Sequence, residues 1–323
     1  MVRFLFSRTI AVLCLAIACL GLAGAADGEK SNTREFQFTY SCTVKDLKPG
    51  QPVRIWVPVP STSEVQTVSL VERRTPGRAQ VNREPKYGNE ILFVEGNADQ
   101  SGTAIVTATY RVRRSEVTRD LAARGEIEKF LRADGKVPVG GKAMTLIAGK
   151  DLPTEETAKA HMLYDTVFGH MRYSKEGSGW GQGDSDWACD SKYGNCTDFH
   201  SLFISLARAQ KIPAKFEIGF SIPDKRGEGE IAGYHCWAYF KPQGKGWVPV
   251  DISEASKNPK MKDYYFGNLT ADRVTFSTGR DLILAPAQQG PPLNFFIYPY
   301  VEVDGKPYPA EKVARKFSYQ DVK

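Results

Sequence analysis

The sequence predicts an α+β protein in which an all-β region precedes a region of mixed helices and antiparallel strands. Two patterns carry this prediction. Between residues 34 and 115, short runs rich in β-branched and aromatic residues alternate with turn residues such as Lys48-Pro49-Gly50, which is typical of sandwich strands. From residue 154 onward, apolar residues first recur at helical spacing and then give way to further strand-like runs.

Residues 31–115 are therefore expected to form a sandwich-like domain of about five to seven strands. The strands predicted from the sequence are Phe36–Val44, Val53–Val59, Thr67–Val71, Ile91–Val94 and Thr103–Val112. Turn residues such as Tyr87-Gly88-Asn89 separate them.

Helical spacing follows in Ser115–Arg132 and again in Thr154–Met171, where Thr154 precedes two glutamates, as is common at a helix start. Val137–Gly141 between them is predicted as a loop and a boundary. Residues 116–153 are accordingly interpreted as a helical linker and residues 154–323 as a second domain.

In the second domain, the stretch Ser174–Asn195 is rich in Gly, Asp and Ser and is predicted as a long ordered loop, a kind of segment that is often functional. A helix is expected over Phe199–Gln210. The strands expected after it, of which the last three would extend the sheet, are Ala214–Phe220, Tyr234–Phe240, Trp247–Ile252, Val274–Ser277, Phe295–Val303 and Lys316–Tyr319.

The first 26 residues have the layout of a secretory signal peptide, with a basic start, an apolar run over Ile10–Leu22 and small residues before the expected cleavage site. One alternative is a transmembrane anchor, but the apolar run is short for one. The other is a lipoprotein signal at Cys19, but such a signal needs Leu three residues before the cysteine, where this chain has Ala16. The protein is therefore expected to be periplasmic or secreted.

The formal charge of +6 is spread along the chain, and the cluster Arg111, Arg113 and Arg114 lacks aromatic interleaving. This argues against nucleic acid as a partner. Without the signal, four cysteines remain: Cys42, Cys189, Cys196 and Cys236. If one stays a thiol, the other three allow one disulfide or none, and the sequence does not fix the pairing.

Cys196 lies where Gly194-Asn195 leads into an amphipathic helix. A thiol at a helix N-terminus faces unpaired backbone N–H groups and the positive end of the helix dipole, and both favour the thiolate. Taken alone, a single cysteine would more often be buried or disulfide-bonded, and only the further features below favour a nucleophile.

A predicted hairpin adds two further groups. Strands containing His235 and Asp251 are joined by the polar connection 241–246, and a turn centred on Gln243 would place His235 directly opposite Asp251. A cross-strand carboxylate can hold an imidazole N–H and fix its tautomer. The register of this hairpin is an assumption. Because Pro249 has no backbone N–H to donate, its strand must lie at the edge of the sheet or be irregular. Together the residues suggest thiolate attack, proton transfer by imidazole and orientation by carboxylate.

Five segments in this order make the chain resemble the bacterial transglutaminase-like superfamily over about residues 155–255. They are Gly194-Asn195-Cys196, Leu206-Ala207-Arg208, Ile212-Pro213-Ala214-Lys215, His235-Cys236-Trp237 and Trp247-Val248-Pro249-Val250-Asp251. The resemblance implies a papain-like α+β core, with the helix of Cys196 packed on an antiparallel sheet. It also implies an oxyanion hole built from the Cys196 N–H and one upstream donor. Asp190 stands where papain-like enzymes have Gln, so Trp180, Trp187 and Gln182 are the candidates.

Other interpretations of the residues remain. His200 could be an alternative base or a packed histidine, and Cys236 a core cysteine or a partner of Cys189. The Cys and His spacings do not fit zinc patterns, so neither metal nor cofactor is expected. The predicted activity is hydrolysis of amide or peptide bonds in a protein or peptide substrate. Crosslinking transfer to an amine, or noncatalytic binding to the cell envelope, are the alternatives.

Overall fold

The first strand, β1 (Thr33–Val44), lies at the centre of a five-stranded antiparallel sheet in the order β10-β16-β1-β6-β3, here the β1 sheet. Its residues alternate between inward and outward positions, and Phe36, Phe38 and Tyr40 are completely buried. This computed structural model describes residues 1, 32–118 and 120–322. The partners of β1 are β3 (Gln66–Arg74), β6 (Ala104–Ser115), β10 (Glu228–Glu230) and β16 (Val313–Asp321).

A second five-stranded sheet, the β2 sheet, has the order β15-β14-β2-β5-β4. Its inward residues, such as Ile55 and Val94, share one hydrophobic core with those of β1, as in a β-sandwich. The strands are β2 (Pro52–Val59), β4 (Gly77–Arg83), β5 (Glu90–Asn97), β14 (Tyr300–Val303) and β15 (Lys306–Pro307).

The third sheet, the β11 sheet, has the order β12-β11-β9-β13 and carries the helices. The helix α3 packs on β11 and β9, while α1 and α2 pack on α3. A short parallel pair, β7 with β8, precedes α3. The elements are α1 (Glu156–His170), β7 (Arg172–Tyr173), α2 (Ser185–Ser191), β8 (Tyr193–Gly194), α3 (Cys196–Ala209), β9 (Ala214–Ser221), β11 (His235–Phe240), β12 (Val248–Val250), α4 (Ile252–Lys257) and β13 (Arg273–Thr278).

All three predicted tail strands are present, but two of them belong to other sheets than the one predicted from the sequence. Only β13 extends the β11 sheet; β14 pairs with β2, and β16 pairs with β1 along nine residues. The two sandwich sheets therefore take strands from both ends of the described chain. A strand's own residues encode its two faces but not its partner, so this pairing could not be read from local patterns.

Three local predictions also fail. Ser115–Arg132 is not an α-helix: Val117 and Leu121 form isolated bridges with Leu269 and Trp247, and only a 3-10 turn follows at Glu128–Leu131. The predicted loop Ser174–Asn195 contains α2. The strand β4 is exposed and polar, and its residues show no strand pattern. Strand pairing overrides local propensity in the first and third cases, whereas α2 begins at a local cap, because the Asp184 side chain accepts the N–H groups of Asp186 and Trp187.

The predicted signal peptide, residues 1–26, lies outside the described residues apart from Met1. Among the residues that are described, no helix combines the length and the apolar character needed to cross a bilayer.

An aromatic cluster joins the β11 sheet to the β1 sheet. The ring of Phe220 on β9 lies 5.0 Å from Phe38 and 4.5 Å from Phe317, measured between centroids, and Phe220 is completely buried. Arg34 of β1 adds a polar link through its ion pair of 2.8 Å with Asp272, next to β13, while its second ion pair of 2.8 Å, with Asp321, lies within the β1 sheet.

We expect Phe220→Ala to lower the free energy of unfolding by about 3–5 kcal/mol, because it leaves a cavity where the two sheets meet. Urea unfolding followed by circular dichroism measures this. Val139→Ala, at a position that is 43% exposed, is the control and should cost less than about 0.5 kcal/mol. Equal losses in the two variants would show that the cluster does not join the sheets.

Candidate active site

Cys196 is the first residue of α3 and is only 2% exposed. The preceding residue caps the helix, since the Asn195 side chain accepts a hydrogen bond from the Thr197 N–H at 2.9 Å. Asp198 completes a capping box by accepting the Asn195 N–H at 2.9 Å. The thiol is thus fixed at the positive end of the helix dipole.

The buried Asp198 carboxylate also orders the glycine-rich loop upstream. It accepts the N–H groups of Gly181 and Gly183 at 2.7 and 2.9 Å. Burial raises the pKa of Asp198 to about 6, although the three backbone N–H groups oppose this shift. Sequence reasoning assigned Asp198 no role.

Arg280, just beyond β13, holds the same loop from the other side. Its guanidinium donates to the carbonyl oxygens of Gly183 and Gln182, at 2.8 and 3.0 Å, and to the Ser201 hydroxyl of α3. No sequence motif pointed to Arg280, because the contact joins segments that are far apart in the chain.

His235 begins β11, and its Nε2 donates to Oδ2 of Asp251 at 2.7 Å. Asp251 is itself the cap of α4, since its Oδ1 accepts the Glu254 N–H and the Ser253 hydroxyl, each at 3.1 Å. With Nε2 committed to Asp251, Nδ1 is the ring nitrogen left for Cys196, and the thiol and the imidazole each shift the pKa of the other.

The predicted register of the hairpin is wrong by two residues. Ala238 pairs with Val250 and Phe240 with Val248, whereas His235 pairs with Gly219 of β9. Asp251 lies beyond the end of β12 and is not directly opposite His235. A shift of two preserves the face on which a residue lies, so the turn into α4 still brings the carboxylate to the imidazole.

Arg273 on β13 is a neighbour of Asp251 that sequence reasoning missed. It donates to Oδ2 of Asp251 at 3.1 Å, and its guanidinium lies 4.8 Å from the Trp237 ring centre. Burial disfavours the charged carboxylate, but His235, Arg273 and His200 outweigh it and hold the pKa of Asp251 well below its usual range.

His200 is not placed to act as a base. Its Nε2 accepts the Ile252 N–H at 3.1 Å, and its Nδ1 lies 3.6 Å from the Cys236 sulfur. Burial lowers the pKa of His200 to about 4, so the ring is neutral near pH 7 with its proton on Nδ1. His200 instead fixes the first residue of α4, and through it Asp251.

The thiol and the imidazole shift each other's pKa in the direction of an ion pair. Burial alone would raise the pKa of Cys196, but contacts with Cys236 and His235 bring it well below the usual value. Burial alone would lower the pKa of His235, but Asp251 and Cys196 raise it to about 9. Both shifts favour a thiolate beside an imidazolium over the neutral pair.

All four described cysteines are free. Cys189 contacts the Lys142 carbonyl oxygen at 3.6 Å and is not bonded to Cys236. Of the two predicted alternatives for Cys236, the core cysteine is therefore the one observed. Its neighbours are Cys196 and His200, and burial raises its pKa well above the usual value.

The three oxyanion candidates have other contacts. The Trp180 Nε1 donates to the Gly177 carbonyl oxygen at 3.2 Å, and the Gln182 side chain accepts from Lys136 at 3.0 Å. Trp187 packs edge-on against Tyr193. Among the described residues, no group of His, Cys, Asp and Glu is arranged to hold a metal ion.

A cleft of about 520 Å³ lies beside His235. Tyr173, Tyr234, Ile222 and Ile231 supply apolar surface, and Lys257 forms an ion pair with Glu254 at its rim. The Tyr234 hydroxyl accepts a hydrogen bond from the Asn195 side chain at 3.0 Å, which places it next to the residue that caps Cys196.

Comparisons with known proteins identify the family of the chain. Residues 145–252 match the sequence profile of the Transglutaminase-like superfamily. An uncharacterized protein of Haemophilus influenzae is 30% identical over 353 aligned positions, which cover 93% of this chain and 95% of that protein. The chain belongs to the transglutaminase-like superfamily.

The transglutaminase-like chain is also similar to a crystal structure described as that of a candidate cysteine protease from Cytophaga hutchinsonii. The TM-score is 0.58 at 15% identity, with 91% of this chain and 93% of the other covered. At this identity the likeness concerns the fold, and it confirms the predicted α+β, papain-like architecture. Superfamily and fold together support a thiol enzyme.

We expect Cys196 to react with iodoacetamide nearly as fast at pH 6 as at pH 8, because its lowered pKa keeps the thiolate at acidic pH. His235→Asn removes the cation and should cut the rate at pH 6 by roughly a hundredfold, as the pKa returns toward 8.5. Peptide mass spectrometry measures alkylation of Cys196 itself.

The matched control is His161→Asn, which changes a histidine that is 44% exposed on α1 and should leave the rate unchanged. An unaltered rate in His235→Asn would mean that His235 does not set the ionisation of the thiol.

Proposed function

We propose that this protein is an exported cysteine peptidase or amidase that cleaves amide bonds in proteins or peptides, with Cys196 as nucleophile, His235 as proton carrier and Asp251 as its orienting carboxylate. The observation that carries the proposal is the 2.7 Å bond from His235 Nε2 to Asp251. It leaves Nδ1 facing a thiol whose pKa is lowered. Export rests on the sequence pattern of residues 1–26.

The reaction proceeds through an acyl-thioenzyme. The Cys196 thiolate bonds to the substrate carbonyl carbon, and the imidazolium of His235 protonates the leaving nitrogen as the C–N bond breaks. His235, now neutral, takes a proton from water as the water attacks the thioester. The acid leaves, and the thiolate–imidazolium pair is restored. Because His235 must enter the cycle charged, activity should decline as the pH rises above about 9.

The substrate is inferred from the cleft beside His235. Its tyrosine and isoleucine walls suit the side chains of a peptide, and the Glu254–Lys257 pair at the rim supports recognition of polar backbone groups. If the protein is exported, peptides and proteins of the cell envelope are the substrates within its reach.

The test uses the intact protein and a Cys196→Ala variant with a mixed peptide library, with and without a primary amine, and reads the products by mass spectrometry. We expect new peptide termini from the wild type and a loss of roughly a thousandfold or more in the variant. Cys189→Ala is the control, and it should retain cleavage because Cys189 contacts Lys142 and not the site.

Amine adducts in place of new termini would assign the same acyl-enzyme to crosslinking. Identical products from wild type and Cys196→Ala would overturn the enzyme and favour a binding protein of the envelope.

We further propose Tyr234 as the second oxyanion donor beside the Cys196 backbone N–H. Its hydroxyl is anchored by Asn195 at 3.0 Å and borders the cleft. Burial raises the pKa of Tyr234, so the phenol stays protonated and can donate. It is favoured over Trp180, whose N–H is already donated to Gly177.

Tyr234→Phe should lower kcat by roughly a hundredfold with little change in KM, since the lost hydrogen bond forms mainly in the transition state. Tyr173→Phe, in the same cleft, is the control and should keep kcat within a few-fold. A raised KM with an unchanged kcat would assign Tyr234 to substrate binding instead.

A further inference from the structure

A second cavity, of about 410 Å³, lies away from the cleft beside His235 and shares no lining residue with it. Its wall includes Arg114 of β6, Lys215 and Glu217 of β9, and Tyr239 of β11. Arg114 points inward from its strand and is 1% exposed. The cavity therefore has a buried cation in its wall.

The Arg114 guanidinium is incompletely bonded. Its Nη1 donates to the Thr275 hydroxyl at 3.2 Å, and the Tyr239 hydroxyl is a close polar neighbour, but Nε and Nη2 are buried without a well-aligned hydrogen-bond partner among the described residues. No carboxylate of the described chain forms an ion pair with it. Buried charges in proteins are normally paired, because an unpaired one carries a large desolvation cost.

The carboxylates in the cavity wall are already occupied. Glu217 uses one oxygen for Lys215 at 2.6 Å and the other for the Trp237 ring N–H at 3.2 Å. Glu64 accepts the Ala122 N–H at 3.0 Å. Neither glutamate forms an ion pair with Arg114.

Two further cations border the same space. Lys129 donates to the Lys86 carbonyl oxygen at 2.7 Å and lies over the rings of Tyr87 and Phe130, but forms no ion pair with a described carboxylate. Arg124 is exposed at the rim. Trp247, edge-on to Phe130 at 5.1 Å, extends the aromatic wall.

We propose that this cavity binds a small carboxylate ligand with an aromatic or apolar body, with Arg114 as the anchor of the carboxylate. The planar guanidinium matches a carboxylate with two parallel N–H···O bonds, and its Nε and Nη2 form one such pair. The aromatic wall receives the body of the ligand, and Lys129 adds attraction at the rim. Because Glu217 and Glu64 offset part of the positive charge, a monoanion fits better than a phosphate dianion.

The probe is benzoate, titrated calorimetrically into the intact protein at low ionic strength, with benzamide as the uncharged isostere and inorganic phosphate as the competing anion. We expect benzoate to bind at least about tenfold more tightly than benzamide, the effect of a charge-assisted hydrogen bond. Phosphate should bind more weakly than benzoate. Equal affinity for benzoate and benzamide, or tighter binding of phosphate, would overturn the proposal.

Arg114→Met should reduce the benzoate affinity to that of benzamide, whereas Arg113→Gln, its exposed neighbour on the same strand, should leave it unchanged. If circular dichroism shows that Arg114→Met does not fold, Lys129→Met replaces it, with an expected threefold to tenfold loss. Equal losses in Arg113→Gln and the cavity variant would refute the anchor. These results do not depend on activity at Cys196.

Discussion

The buried carboxylate of Asp251 is the interaction on which the arrangement of the site depends. It receives hydrogen bonds from a strand of the β11 sheet through His235, from another through Arg273, and from the first turn of α4. A carboxylate without solvent contact is stable only when cations and donors surround it. The β11 sheet and α4 must therefore assemble together, and the position of the imidazole follows from that assembly.

A second carboxylate organises the other half of the site in the same way. Asp198 ties the start of α3 to the glycine-rich loop, and Arg280 holds that loop from the opposite side. The thiol of Cys196 and the imidazole of His235 are thus positioned by separate polar networks. Support of this kind locks functional side chains in one geometry.

The sequence predicts Cys196, His235 and Asp251 as neighbours because each has a local signal: a helix start, a strand and the end of a strand. It does not predict the contacts of Arg273, Arg280 or Tyr234, because these join segments that are distant in the chain. For the hairpin, the predicted face of each residue is correct but the predicted register is wrong. The alternating pattern of a strand encodes only which of its residues share a face. The sandwich strands from β1 to β6 are predicted apart from β4, and the tail strands β14 and β16 are predicted but assigned to the wrong sheet for the same reason.

The pairing of the first described strand with the last has a consequence for how the chain acquires its structure. Arg34 and Asp321, joined by an ion pair, are separated by 287 positions, and β1 has one of its two neighbours only when β16 is present. Contacts of such long range close slowly, because a large loop must be ordered before they form. The β1 sheet therefore stays open until β16 is available to pair with β1, and this sheet is completed only after the residues up to Asp321 have been made.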